Sequence, residues 1–167
     1  MRQQRSDGTS ALIDGDASVV IDERVPSIVV MTWFGEATER LVDEYFDWLE
    51  SRLARARASR ERVVLLTDTF AIARPSAVVR RRLADRTKVV TAGEGGPVVA
   101  SVAVIENDLV RGAVTALGWV VPALSRAQTF VGSIDEAFDY ALARLEQAGI
   151  SAPPGFSRAS YRRPSRP

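Results

Sequence analysis

Hydrophobic period switches back and forth along the chain. The runs SVVIDE (18–23) and SIVVMTW (27–33) are rich in β-branched residues and separated only by Arg24, Val25 and Pro26, which predicts a hairpin of two strands. From 36 to 58 the spacing changes. Leu41, Val42, Tyr45, Phe46, Leu49 and Leu53 fall on one stripe of an amphipathic helix, with acid at its start (Glu36, Glu39) and Arg52, Arg55 and Arg57 toward its end, as the helix dipole favours. RVVLLTD (62–68) predicts a strand, and PSAVVRRRLADRTKVV (75–90) a second helix with Pro75 in the first turn. After AGEGGP, VVASVAVI (98–105) predicts another strand and QTFVG (128–132) a short one. The last helix, 133–149, opens on Ser133 and Glu136 at capping-box spacing and closes on Gly149.

A further helix is expected at ENDLVRGAVTALGWVVP (106–122), with Asn107 as N-cap and Pro122 beyond its end. Its apolar side chains cover an arc of roughly 220°, twice the ~100° stripe that one core requires. Gly112, Ala113, Ala116 and Val120 suit close packing on a sheet. Val110, Val114, Trp119 and Val121 flank that side and make the expected interface with another surface. At about 13 helical residues, ~20 Å, the segment is too short for a ~30 Å hydrocarbon core.

The predicted order is β-β-α-β-α-β-α-β-α, an α/β sheet of about five mainly parallel strands with about four helices joining them. The strands at 27–33, 62–68 and 98–105 are apolar on both faces, as central strands covered on both sides should be. Residues 1–16 are polar and read as a flexible arm, 17–149 as the domain, and 150–167 as a disordered tail holding Arg158, Arg162, Arg163 and Arg166 among four prolines.

Composition narrows the chemistry. The 167 residues suit one domain and carry a net charge of +1, with neither cysteine nor histidine. Thiol nucleophiles, thiolate metal sites and any Ser-His-Asp machine are thereby removed, and no metal or other cofactor is expected. Of the 22 basic residues only Lys88 is lysine, so the arginine content reflects general composition and speaks little for nucleic acid. The tail leaves open sequence-independent contact with an anionic membrane surface, or docking to a partner. No apolar stretch reads as a signal peptide, and the expected location is the cytoplasm.

Ligands of open α/β sheets sit at the carboxyl ends of the strands. That criterion selects Asp68, Arg74, Glu106 and Asp108 as candidate small-molecule residues, although Asp108 also fits a first helical turn and Asp68 an ordinary strand-end turn. GEGGP (93–97) runs into a strand and lacks the Lys-Ser/Thr of a phosphate loop. Arg80, Arg81 and Arg82 fan widely around their helix, while Arg82 with Arg86 and Arg81 with Lys88 offer a basic face to acidic partners.

Several phrases, VVMTWFGEATERLVDEYFDWL, VVLLTD with ARPSAVVRRRLAD, IENDLVRGAVTALGW and TFVGSIDEAFDYA, resemble the STAS domains of sulfate-transporter tails and anti-sigma factor antagonists, and their single-domain STAS/SEC14-like bacterial relatives. The resemblance spans residues 18–148 and implies a regulatory module without chemistry of its own, in which a serine at the start of the second helix is phosphorylated to release a partner. That serine stands in an Asp-Ser-Ser-Gly setting in the family. Here the place reads FAIARPSAVV (70–79): the Asp is absent, Ala73 or Arg74 occupies the phosphoserine position, and Ser76 follows just after it. A phosphate on Ser76 would lie at a helix N-terminus near Arg74 and Arg80. The expectation is thus a non-catalytic module that docks a protein partner or a second copy of itself. The alternative, from the SEC14 side of the resemblance, is a carrier of lipid or another small hydrophobic ligand.

Overall fold

The structure is a computed structural model that describes residues 2–4, 8–91, 96–106, 128–151, 156 and 158–167. Among these, seven strands form one sheet in strictly sequential order: β1 (Arg2–Gln4), β2 (Thr9–Asp14), β3 (Ala17–Asp22), β4 (Ile28–Gly35), β5 (Val63–Ile72), β6 (Val98–Val104) and β7 (Thr129–Val131). The strands β1 to β4 pair antiparallel and β4 to β7 parallel. Connection length accounts for the change. Short turns join β2 to β3 and β3 to β4, whereas α1 (Glu39–Ser59) and α2 (Ala77–Thr91) provide the long crossovers that parallel neighbours require. A third described helix, α3 (Ile134–Gln147), follows β7.

The mixed α/β class predicted from periodicity is the one observed, with differences at both ends of the chain. In place of a flexible arm over 1–16 stand β1 and β2, so the sheet gains two strands. The signal is present in the sequence: SALID and ASVVID flank Gly15, which turns with φ +58°. In the resulting register Leu12 pairs with Val19 and Ala11 with Val20, and all four are buried. In place of a disordered tail, residues 158–167 lie along the body. The expected helix at 106–122 falls on residues 107–127, outside the described ones, as do Asp108, Val110, Val114, Trp119 and Val121.

Alternation along the strands divides the core in two. Val19, Ile21, Val29 and Met31 face α1, whose Leu41, Val42, Tyr45 and Leu49 close over them. Ile28, Val30, Val64, Leu66, Val102 and Val104 face α3 through Phe138, Ala141 and Leu145. Caps set the helix ends. Thr38 Oγ1 accepts the Leu41 N–H at 3.0 Å, and Arg60 ends α1 in the left-handed region at φ 56°. Ser133 Oγ accepts the Glu136 N–H at 3.2 Å, while the Glu136 carboxylate accepts the Gly132 N–H at 2.8 Å, one residue earlier than in a standard capping box.

Part of the basic face expected on α2, that of Arg82 and Arg86, is answered within the chain. Arg82 makes a forked pair with Asp43 at 2.8 Å, and Arg86 reaches Asp47 at 2.6 Å and Glu50 at 3.2 Å. Because α2 lies beside the acidic flank of α1, these two arginines join the two crossovers.

Candidate carboxylate site beneath the C-terminal segment

β5 runs four residues beyond its predicted end at 68, which places Asp68 inside the sheet and not at its rim. In parallel register Thr32 of β4, Asp68 of β5 and Val104 of β6 stand side by side. Both Asp68 and Thr32 have 0% exposure. A carboxylate in that position has lost its water and needs replacement donors.

Three groups supply them. The Phe70 N–H donates to Asp68 Oδ1 at 3.2 Å, an Asx-type contact within the strand. Arg163, from the C-terminal segment, donates from Nε to Oδ2 at 2.7 Å and from Nη2 to Oδ1 at 3.3 Å. The same Nη2 donates to Glu106 Oε1, just past β6, at 2.5 Å. The Phe70 ring lies 4.4 Å from the guanidinium carbon and adds an aromatic face. Burial pushes the Asp68 carboxyl above its usual value, Arg163 and the Phe70 N–H pull against that push, and Glu106 adds to it. Burial acts against the charge of Arg163, but Glu106 and Asp68 more than restore it, so the cation is secured.

The segment that brings Arg163 is fastened at intervals. Arg158 pairs with Asp139 on α3, and a 3-10 turn (Arg158–Ser160) leads into Tyr161. The ring of Tyr161 packs on Phe138 at 4.7 Å, and Phe156 packs on the same ring at 5.3 Å. The Tyr161 phenol lies beside the Thr32 hydroxyl, and its pKa is raised by burial. Neither oxygen completes a hydrogen bond of ordinary geometry among the described residues, nor does the buried Ser18 hydroxyl. Arg162 turns outward, its guanidinium on the Ala159 and Tyr161 carbonyls, while its own carbonyl accepts from Arg24 at 3.4 Å. Arg24 in turn neutralises Asp22, a second buried carboxylate, at 2.6 Å. Arg166 donates to the Asp16 carbonyl in the β2–β3 turn.

Of the residues singled out from sequence, the structure brings Asp68 and Glu106 together through one guanidinium. Arg74 and Ser76 are exposed at the start of α2, away from that pair. Ser76 is the N-cap of α2, its Oγ accepting the Val79 N–H at 3.3 Å, and not a first-turn residue. Arg80 donates to the Pro75 carbonyl at 2.7 Å. None of the three hydrogen-bonds to Asp68 or Glu106 among the described residues. Arg163, Tyr161, Phe70 and Thr32 were not legible as site residues. The available signal was the placement of Phe156 and Tyr161 among the arginines, since a solvated tail has no use for buried aromatics.

No protein-family model matches the chain, and comparison with curated proteins finds no match. Among solved structures it is similar to an uncharacterized DUF3478-family protein with a SpoIIAA-like fold from Shewanella loihica PV-4. The identity is 16%, the TM-score 0.46, and the match covers 83% of this chain and 98% of that one. It is also similar to an anti-sigma factor antagonist from Mycobacterium paratuberculosis, at 16% identity and TM-score 0.43 over 83% of this chain and 98% of the other.

Proposed function

We propose that this chain is a non-catalytic regulatory module that binds polypeptide, docking either a protein partner or a second copy of itself. One observation carries the reading: the α3 face of the sheet already holds a segment of polypeptide, the chain's own residues 161–163, through a packed aromatic ring and a forked arginine–carboxylate pair. Buried aromatic and arginine anchors are the usual strong points of protein interfaces. Further support comes from apolar side chains left at the surface, Phe70 (37% exposed) and Val78 (57%), the latter on the first turn of α2. The arginines of the C-terminal segment that pair with Asp139, Asp68 and Asp16 are committed to the body, which speaks against a polyanion or a membrane surface as the main target. The apolar arc of 106–122, with Val110, Val114, Trp119 and Val121, remains a second proposed docking face.

A photoreactive residue placed at Phe70 or Val78 of the full chain, activated in the expressing cell, tests this reading. The expected adducts are polypeptides of defined mass. Adducts of lipid mass would establish the hydrophobic-carrier alternative, and an absence of adducts from both positions would overturn docking through the surface that Phe70 and Val78 mark.

A further inference from the structure

The carboxylate site has the features of a recognition groove whose ligand is, for now, part of the same chain. Asp68 is fully buried and cannot stand there alone and ionised, so the site demands a cation or a proton. The cation present is held on three sides: Asp68 takes two bonds from Arg163, Glu106 takes a third, and the Phe70 ring supplies a π face. That set of contacts matches a planar guanidinium and not the compact ammonium of lysine. Two residues earlier in the segment, Tyr161 fills an aromatic socket on Phe138, with its phenol beside the buried Thr32 hydroxyl. Between them Arg162 points outward. The two anchors thus stand two residues apart with an outward-facing position between them, an aromatic residue first and an arginine second.

Resting on the polypeptide-binding reading above, we propose that this groove is specific for an aromatic-x-arginine segment. Tyr161-Arg162-Arg163 fills it in cis, and a partner polypeptide carrying the same signature displaces the tail to bind. Tethering gives the cis ligand an effective concentration on the order of millimolar, so an intact chain resists weak competitors and admits strong ones. The tail is thereby a threshold on partner binding as well as a cover for Asp68.

The test uses the full chain and a labelled peptide of residues 156–167, FSRASYRRPSRP. Fluorescence anisotropy should show the peptide binding the Arg163→Ala chain at least about tenfold more tightly than the wild type, because that variant has a weakened cis ligand. A peptide with lysine or glutamine in place of Arg163 should lose about tenfold or more, and Asp68→Asn added to the Arg163→Ala chain should abolish the gain. Equal affinity for wild type and Arg163→Ala, or lysine serving as well as arginine, would overturn the proposal. Should Arg163→Ala fail to fold, hydrogen exchange on the wild-type chain decides. Excess arginine peptide should speed exchange in residues 158–163 and the glutamine peptide should not; no difference between the two overturns it. Polypeptide adducts at Val78, which is not among the groove residues, would survive that failure, so the two readings are separable.

Discussion

Asp68 and Arg163 stand 95 residues apart in the chain and 2.7 Å apart in the fold. One lies inside a central β-strand and the other within a run of prolines and arginines, and the burial of the first calls for the charge of the second. The pair ties the C-terminal segment to the α3 face of the sheet.

Removing one partner leaves a buried group uncompensated. Arg163→Ala should therefore cost roughly 1–3 kcal/mol in urea or guanidinium unfolding. Asp68→Asn on that background should cost less than on the wild type, with a coupling energy of about 0.5–3 kcal/mol. Additive effects would show that the pair does not act as a unit.

The titration of Asp68 reports whether the segment stays down. Its carboxyl in the folded chain lies above the usual 3.8. Its contribution to stability is therefore fully present below the unfolded value and is lost as pH rises through the raised folded one. If Arg163→Gln keeps the segment in place, the Asp68 pKa should rise further, because the opposing charge and hydrogen bonds are gone while burial remains. If the segment lifts away, water enters and the value should fall back toward 3.8. Side-chain carboxyl NMR across the acid range distinguishes the two directions.

Phe138 is the floor of the aromatic socket and is 1% exposed. Phe138→Ala should destabilise the chain by about 3–5 kcal/mol. It should also raise the trypsin cleavage rate after Arg162, because Tyr161 and Phe156 lose the ring they share. Phe138→Leu, keeping most of the volume, should show the faster cleavage with a smaller loss of stability.

Gly35 separates backbone demand from space. It has φ +72°, and a Cβ there would lie 2.6 Å from the Asp16 carbonyl oxygen, a backbone atom that cannot turn aside. Gly15 shares the left-handed conformation at φ +58° with open space around it. Gly15→Ala should cost about 1 kcal/mol for the conformation alone, and Gly35→Ala distinctly more, in paired thermal melts.

Much of the fold was legible because it is local. The stripe of α1, the Ser133–Glu136 cap and the doubly apolar strands at β4, β5 and β6 follow from neighbours within a few residues, and each element lies within a few residues of its predicted bounds. Asp68 and Glu106 were singled out as acids at strand carboxyl ends, although Asp68 stands four residues inside the end of β5. Their partner was not. Arg163 reads as solvated because its own neighbourhood is polar and proline-rich, and β2 reads as part of an arm because six residues pair stably only when β3 lies beside them.

The sequence alone therefore determined the class of the chain: an α/β sheet without cysteine or histidine chemistry, with its helices placed and capped by local pattern. Only the tertiary structure decided where the C-terminal arginines find their partners. A guanidinium gains little from a carboxylate in water and much from one buried in a sheet, and burial is a property of the assembled chain, not of any segment of it.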